Sequence, residues 1–209
     1  AMMLARPLEV MQRAGGLGVA LDRAGQDLAQ YARPFGLLAD RIDSEYTARA
    51  LPQPDDEANV AHSLRHQLAL IRWYLDNNQV IQGMSLAREW LVTAVGWRLG
   101  RGFERDVRER DDLARGLEGI ARLRSGRASE DAINEIAAQM AGWPEHSTLA
   151  ALWDRLATVR NDLDHVGMSP SASKAAKLTH RAQHQIWPEL HRLAETWQIA
   201  TTEEVASAP

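Results

Sequence analysis

No segment of this 209-residue chain alternates strand-like runs with helical ones, and this constrains the fold more than any other feature of the sequence. The chain contains 33 Ala and 25 Leu, whereas Val, Ile and Thr together supply only 26 residues. Ala and Leu favour helix, and β-branched residues favour sheet. We therefore predict an all-α fold and exclude a parallel α/β sheet with an ordinary dinucleotide-binding domain.

Apolar residues recur at three- and four-residue steps in two long segments, which is typical of amphipathic helices. The first follows Pro52 and Pro54, stops at Asn77–Asn78 and carries Val60, Leu64, Leu68, Ile71 and Leu75. The second runs from about Gln79 to Leu99 and carries Val80, Met84, Ala87, Leu91, Ala94 and Val95. The short connection predicts that these two helices are antiparallel.

Other helices are predicted on either side of this pair. In the first segment, Gly15, Gly16 and Gly18 are expected to interrupt the helix, and Arg33–Pro34 to break it again. Downstream we predict a solvated helix over 104–124, with the stripe Val107, Leu113, Leu117, Ile120 and Leu123. A short helix follows, capped by Ser129 and closed by Gly142 and Pro144. A helix over 148–164 ends at Gly167, and Pro188 kinks or restarts the last helix at Trp187.

These segments suggest one main domain. We assign residues 1–54 to an N-terminal helical segment or a linker from a missing upstream domain, 55–200 to the helical domain and 201–209 to a flexible tail. The absence of Cys excludes disulfides, thiolate zinc sites and cysteine nucleophiles, and fits a reducing, cytoplasmic compartment. The apolar stretch Leu17–Leu21 is too short for a signal peptide or a membrane span, so no membrane partner is predicted.

The chemically most suggestive stretch is Arg160-Asn161-Asp162-Leu163-Asp164-His165, at the end of the 148–164 helix. Arginine can hold a phosphate and stabilise a charged transition state, and histidine can move a proton near neutral pH. Five helical residues place Arg160 and His165 about 140° apart, so they converge only if the helix ends near His165, if Arg160 reaches round, or if a second subunit contributes. An ordinary helix end, with Arg160 in a surface ion pair and His165 capping carbonyls, is the other interpretation.

This stretch, continued by Val166-Gly167, resembles the motif of the HEPN superfamily, in which an Arg and a polar residue precede a His by four to six positions. Residues 58–100, and Gly83-Met84-Ser85-Leu86-Ala87-Arg88-Glu89-Trp90-Leu91 in particular, resemble the helical half of CRISPR-associated CARF–HEPN ancillary proteins. The resemblance covers residues 55–197. It implies a HEPN-like helical bundle that forms a homodimer.

The resemblance also implies a metal-independent endoribonuclease, without a cofactor, that cleaves single-stranded RNA in antiviral defence. In that activity the 2′-hydroxyl attacks the phosphate and leaves a 2′,3′-cyclic phosphate and a 5′-hydroxyl. Arg160 would bind the scissile phosphate, His165 would act on the 2′-hydroxyl or the leaving oxygen, and Asn161 would position the phosphate or the imidazole. The alternatives are a noncatalytic helical module for dimerisation or RNA binding, and a HEPN toxin of a toxin–antitoxin pair.

The chain departs from the CARF–HEPN pattern because it lacks the βα alternation of the CARF domain, which binds cyclic oligoadenylate. Either the chain is the C-terminal part of a longer protein, or the relationship is more distant. We therefore expect cyclic oligoadenylate to act only through a sensor domain outside this chain.

Several other polar and aromatic residues are interpreted as structural. The pairs His62/His66 and His180/His184, with His191, have metal-binding spacing, but no carboxylate completes a ligand set. Arg88 and Glu89 either support the site from the facing helix or form an ion pair. The tryptophans favour packing over base stacking. A salt-bridged surface is the default for the basic residues Arg98, Arg101, Arg105, Arg108 and Arg110, because Glu104, Asp106 and Glu109 lie between them.

Overall fold

The computed structural model describes residues 6–31, 41–42, 46, 50–51, 53–101, 106–129, 132–164 and 174–200, and the side chains of all of these except 25–31 and 163–164. Throughout these residues the chain is helical or irregular, without a strand, which confirms the all-α prediction. The helices are α1 (Pro7–Tyr31), α2 (Val60–Asp76), α3 (Val80–Arg98), α4 (Val107–Arg124), α5 (Glu135–Ala141), α6 (His146–Asp164), α7 (Ala175–Arg181) and α8 (Trp187–Thr196).

The predicted helical hairpin is α2 and α3, which pack along each other. Asn78 turns the chain between them with a φ of 57°, a conformation that Asn tolerates better than most residues, and Gln79 N–H donates to Tyr74 O at 2.8 Å. Helix α3 is buried over nearly its whole circumference from Trp90 to Gly96, because α2, α4 and α6 all pack against it. It is therefore the central helix, and the predicted apolar stripe describes only part of its buried surface.

Helix α4 confirms the predicted solvated helix, with two differences. Asp106 caps it by accepting hydrogen bonds from Arg108 N–H (2.8 Å) and Glu109 N–H (3.2 Å), so the helix proper begins at Val107. Val107 was expected in the buried stripe, but it is 71% exposed, because the first turn extends beyond the helices that cover Leu113 and Leu117.

The predicted N-cap of the next helix is wrong. Asn134, not Ser129, caps α5, and its side chain accepts a hydrogen bond from Ala137 N–H at 2.8 Å. Ser129 lies in the preceding loop, where its carbonyl accepts from Ala132 N–H at 3.0 Å. Both residue types are good caps, but Asn134 also contacts α4, where its Nδ2 donates to Asp112 O at 3.4 Å. The stop at Gly142 is confirmed.

The C-terminal helix restarts at Trp187, as predicted. A π-helical turn over Ala182–Ile186 joins α7 to α8, and Trp187 N–H donates to Ala182 O. Pro188 accounts for this turn, because it has no N–H to donate and its ring excludes the carbonyl four residues earlier. After α8, Gln198 adopts a φ of 58° and Ile199 N–H donates to Ala194 O at 2.8 Å, which closes the helix end.

The N-terminal helix differs from its prediction, because α1 continues through Gly15, Gly16 and Gly18 without a break. A glycine lowers helix stability by about 1 kcal/mol relative to Ala but removes no hydrogen-bond donor, so the ladder can continue. Buried Val10, Met11 and Ala14 hold the helix, although they lie outside the continuous core that runs from Val60 to Ala200. The predicted break at Arg33–Pro34 and stop at Gly167 lie outside the described residues, and the domain boundary at 54 stays a prediction.

Among the described residues, no helix is long and apolar enough to cross a membrane.

Candidate functional site

A cleft of about 330 Å³ opens where α4 and α6 pack beside α3. Its lining residues on α4 and on α6 follow three-, four- and seven-residue steps, so each helix contributes one face. The cleft is lined by Arg88 of α3, by Asp111, Ala114, Arg115 and Glu118 of α4, and by Trp153, Leu156, Ala157, Arg160 and Asn161 of α6. Three guanidinium groups and two carboxylates thus surround a small apolar floor.

The centre of the cleft is an Arg–Trp–Glu arrangement that joins all three helices. The guanidinium carbon of Arg88 lies 5.0 Å from the Trp153 ring centroid, within cation–π range. Trp153 Nε1 donates to Glu118 Oε2 at 3.1 Å, so Glu118 holds the edge of the ring while Arg88 lies over its face. Because the Trp153 residue is only 5% exposed, the indole offers Arg88 a rigid platform.

A second group of charges adjoins this arrangement on the side of the α4 N-terminus. A smaller cavity of about 240 Å³ shares Arg88, Asp111 and Ala114 with the first, so the two adjoin each other. In it the Glu89 carboxylate binds Arg88 Nη1 at 2.7 Å and Arg110 Nη2 at 2.8 Å. Arg110 Nη1 also donates to Thr93 Oγ1 at 3.1 Å. The carboxylate therefore bridges guanidinium groups from two helices.

The three residues of the predicted motif have different outcomes. Arg160 and Asn161 are exposed on the last turns of α6, and both line the cleft. His165 lies outside the described residues, so its place relative to Arg160 stays a prediction. Leu149, Leu152 and Val159 form part of the buried face of α6.

Arg88 and Glu89 combine the two interpretations that the sequence left open. They form an ion pair, and Arg88 also faces the cleft that contains Arg160. Arg98, from the basic group, pairs with Glu145 at 3.3 Å and stacks 4.9 Å from both Trp143 and Trp197. These contacts agree with a salt-bridged surface.

The tryptophans mostly serve packing, as predicted. Trp90 is fully buried, and its Nε1 donates to Leu64 O at 2.8 Å. Among the histidines, the rings of His180 and His184 lie 4.7 Å apart, and His191 Nδ1 lies 3.7 Å from Glu195. Within the described ranges, no group of three or more His, Asp or Glu side chains could hold a metal ion.

Sequence reasoning missed Asp111, Arg115, Glu118 and the role of Trp153 in the cleft. A usable signal existed on α4, because Asp111, Arg115 and Glu118 repeat at four- and three-residue steps beside the apolar stripe. The sequence could not show that this polar face meets the face of α6 that carries Arg160.

No family model, no curated protein and no solved structure matches the chain. The function must therefore be argued from the residues of the cleft and from the motif that ends α6.

Proposed function

We propose that the protein is a metal-independent endoribonuclease of the HEPN type that cleaves single-stranded RNA as a homodimer in CRISPR-linked antiviral defence. The observation that carries the proposal is that Arg160 and Asn161, two of the three motif residues, line one cleft with Arg88 from the facing helix. A cleft with several guanidinium groups suits a phosphodiester, because the planar fork matches phosphate oxygens.

In the proposed reaction the 2′-oxygen forms a bond to phosphorus while the bond from phosphorus to the 5′-oxygen breaks. His165 removes the proton from the 2′-hydroxyl or donates one to the 5′-oxygen, and solvent water takes or supplies the other proton. Arg160 stabilises the additional negative charge on the nonbridging oxygens, and Asn161 orients the phosphate or the imidazole. The products are a 2′,3′-cyclic phosphate and a 5′-hydroxyl, so no external nucleophile is required.

The test uses the full chain and an end-labelled single-stranded RNA in buffer containing a chelator. His165→Ala is expected to lower the cleavage rate about 10²- to 10⁴-fold and Arg160→Ala about 10²- to 10³-fold. Arg192→Ala is the matched control, because it removes an exposed Arg of α8 that does not line the cleft. A substrate with a 2′-deoxy sugar at the cleavage position should remain intact. Undiminished cleavage by His165→Ala would refute the assignment.

A noncatalytic module for dimerisation or RNA binding is the second candidate, and the carboxylates of Asp111 and Glu118 in the cleft favour its dimerisation form, since they repel phosphate. That protein would dimerise or bind RNA and form no cyclic phosphate product. A toxin of a toxin–antitoxin pair would cleave RNA and have an antitoxin gene beside its own. Under the CARF–HEPN interpretation, cyclic oligoadenylate would change the rate only when the chain is joined to a sensor domain.

A further inference from the structure

We propose that Arg88 and Arg110 form a second phosphate-binding subsite beside Arg160, and that the Glu89 carboxylate occupies the position of the phosphate in the unbound protein. The ligand would be a phosphodiester of the same single-stranded RNA. The inference rests on the proposed function for the identity of this ligand, but it concerns residues outside the motif.

The geometry of the Glu89 carboxylate carries the inference. Its two oxygens bind two different guanidinium groups. Oε1 accepts from Arg88 Nη1 at 2.7 Å, and Oε2 accepts from Arg110 Nη2 at 2.8 Å. Two oxygens of a phosphate bind a pair of arginines in the same manner. An anion with at least two acceptor oxygens therefore fits between these side chains.

The exposure of the three side chains indicates which group can leave. The side chains of Arg88 and Arg110 are 27% and 21% exposed, whereas that of Glu89 is 50% exposed. The cations thus lie deeper than the anion that joins them. Ion pairs to a half-exposed carboxylate contribute little to stability, so an anion from solution can displace it at small cost.

Both guanidinium groups keep a support when the carboxylate leaves. Arg88 lies over the indole of Trp153 at 5.0 Å, and Arg110 donates to Thr93 Oγ1 at 3.1 Å. Such supports preorganise the donors and reduce the entropy lost on binding. The cavity between Arg88 and Arg110 shares three lining residues with the Arg160 cleft, so the two sites adjoin and we expect one strand to contact both.

The decisive experiment measures binding of a fluorescently labelled 2′-O-methyl single-stranded oligonucleotide, which cannot be cleaved, by anisotropy. Glu89→Gln removes the competing charge and should tighten binding about two- to fivefold. Asp76→Asn is the matched control, because Asp76 is also 50% exposed and also pairs with an Arg at 2.8 Å, outside the cleft. It removes the same charge, so the difference between the two variants measures the local effect.

Arginine variants test the same subsite in the opposite direction. Arg88→Ala and Arg110→Ala should each weaken binding and reduce the slope of log K against log salt by about 0.7, the value for one phosphate contact in a single strand. Arg72→Ala is the control for Arg88, because Arg72 also has an ion pair and lies 5.7 Å from a Trp ring. If Arg88→Ala unfolds, Arg88→Lys replaces it as the test, because it preserves the positive charge. This variant should keep the wild-type slope of log K against log salt and bind the oligonucleotide with lower affinity.

The outcomes separate this inference from the proposed function. RNA cleavage that depends on His165, together with equal affinities of Glu89→Gln and Asp76→Asn, would overturn the subsite alone. The expected affinities without any cleavage would overturn the nuclease alone. Absence of oligonucleotide binding by the wild-type protein at low salt, or binding of inorganic phosphate only, would also overturn the subsite.

Discussion

Substitution of Gly116 by Ala should destabilise the protein, although Ala is the better helix former. Gly116 lies in the middle of α4, where α5 packs against it. A Cβ at this position would lie 2.5 Å from Ile136 Cγ2, 3.0 Å from Ile136 Cβ and 3.1 Å from Met140 Cε. Ordinary carbon contacts are about 3.5–4.0 Å, so α5 must move by about 1 Å. Ile136 cannot rotate away, because its β-branched side chain is stiff.

The net effect follows from two opposing terms. Overpacking of this kind costs about 1–3 kcal/mol, and the helix propensity of Ala returns about 1 kcal/mol. We expect a net loss of about 1 kcal/mol, which lowers Tm by about 2–4 °C in a chain of this size. Urea unfolding followed by circular dichroism measures the difference in the free energy of unfolding.

Gly16 in α1 provides the control, because a Cβ there would meet nothing within 4 Å. Gly16→Ala should stabilise α1 by up to about 1 kcal/mol through propensity alone. Ile136→Ala should remove the shortest of these contacts, that to Cγ2, so Gly116→Ala should cost less in that background than in the wild type. If Gly116→Ala stabilises the protein as much as Gly16→Ala does, the close contact between α4 and α5 is refuted.

Three further substitutions test particular contacts. Asn134→Ala should lower the free energy of unfolding by about 1 kcal/mol, because it removes the cap of α5. Ser129→Ala should change this free energy by less than about 0.5 kcal/mol. Equal losses in the two variants would contradict the observed helix start. Trp90→Phe should lower the free energy of unfolding by about 2–3 kcal/mol, because it removes the buried hydrogen bond to Leu64 O and leaves space in the core. A clearly smaller loss in urea unfolding would contradict this role of Trp90. Glu118→Gln retains an acceptor for Trp153 Nε1 but removes a negative charge from the cleft. Oligonucleotide binding should become stronger by less than about 1 kcal/mol, and Tm should not change. Weaker binding would contradict a repulsive effect of the Glu118 carboxylate on the oligonucleotide.

The fold could be predicted from the sequence wherever the period of the apolar residues was regular. The stripe from Val60 to Leu75 and the turn at Asn77–Asn78 correspond to α2 and its end. Predictions failed where two local signals were equally good and tertiary packing decided. Ser129 and Asn134 can both cap a helix, and Asn134 has in addition a tertiary contact, the hydrogen bond from its Nδ2 to Asp112 O of α4. The predicted interruption of α1 at Gly15, Gly16 and Gly18 failed for a related reason. The loss of helix propensity at a glycine is small compared with the stabilisation gained by burying Met11.

The candidate site was less accessible to prediction, because it is formed by residues distant in sequence. Arg160 and Asn161 could be singled out from the sequence because they belong to a short local motif. Arg88 and Glu118 meet Trp153 only through the packing of α3, α4 and α6. Arg–Trp and Trp–Glu contacts across helices leave no periodic signal, so each residue on its own has the appearance of an ordinary surface or core position.

The proposed nuclease also allows a test of which subunit supplies the imidazole. Trp153 precedes Arg160 by seven residues, and both line the cleft, so continued helical spacing would place His165 about 140° away from Arg160. If a second subunit contributes, His165 of one copy acts with Arg160 of the other in a symmetric dimer. Arg160→Ala and His165→Ala, each inactive alone, should then regain about a quarter of the wild-type rate when equal amounts are mixed and subunits exchange, because half of the dimers are mixed and each of these has one intact site. A mixture that stays inactive, although mass spectrometry detects mixed dimers, would place both residues of the site on one copy.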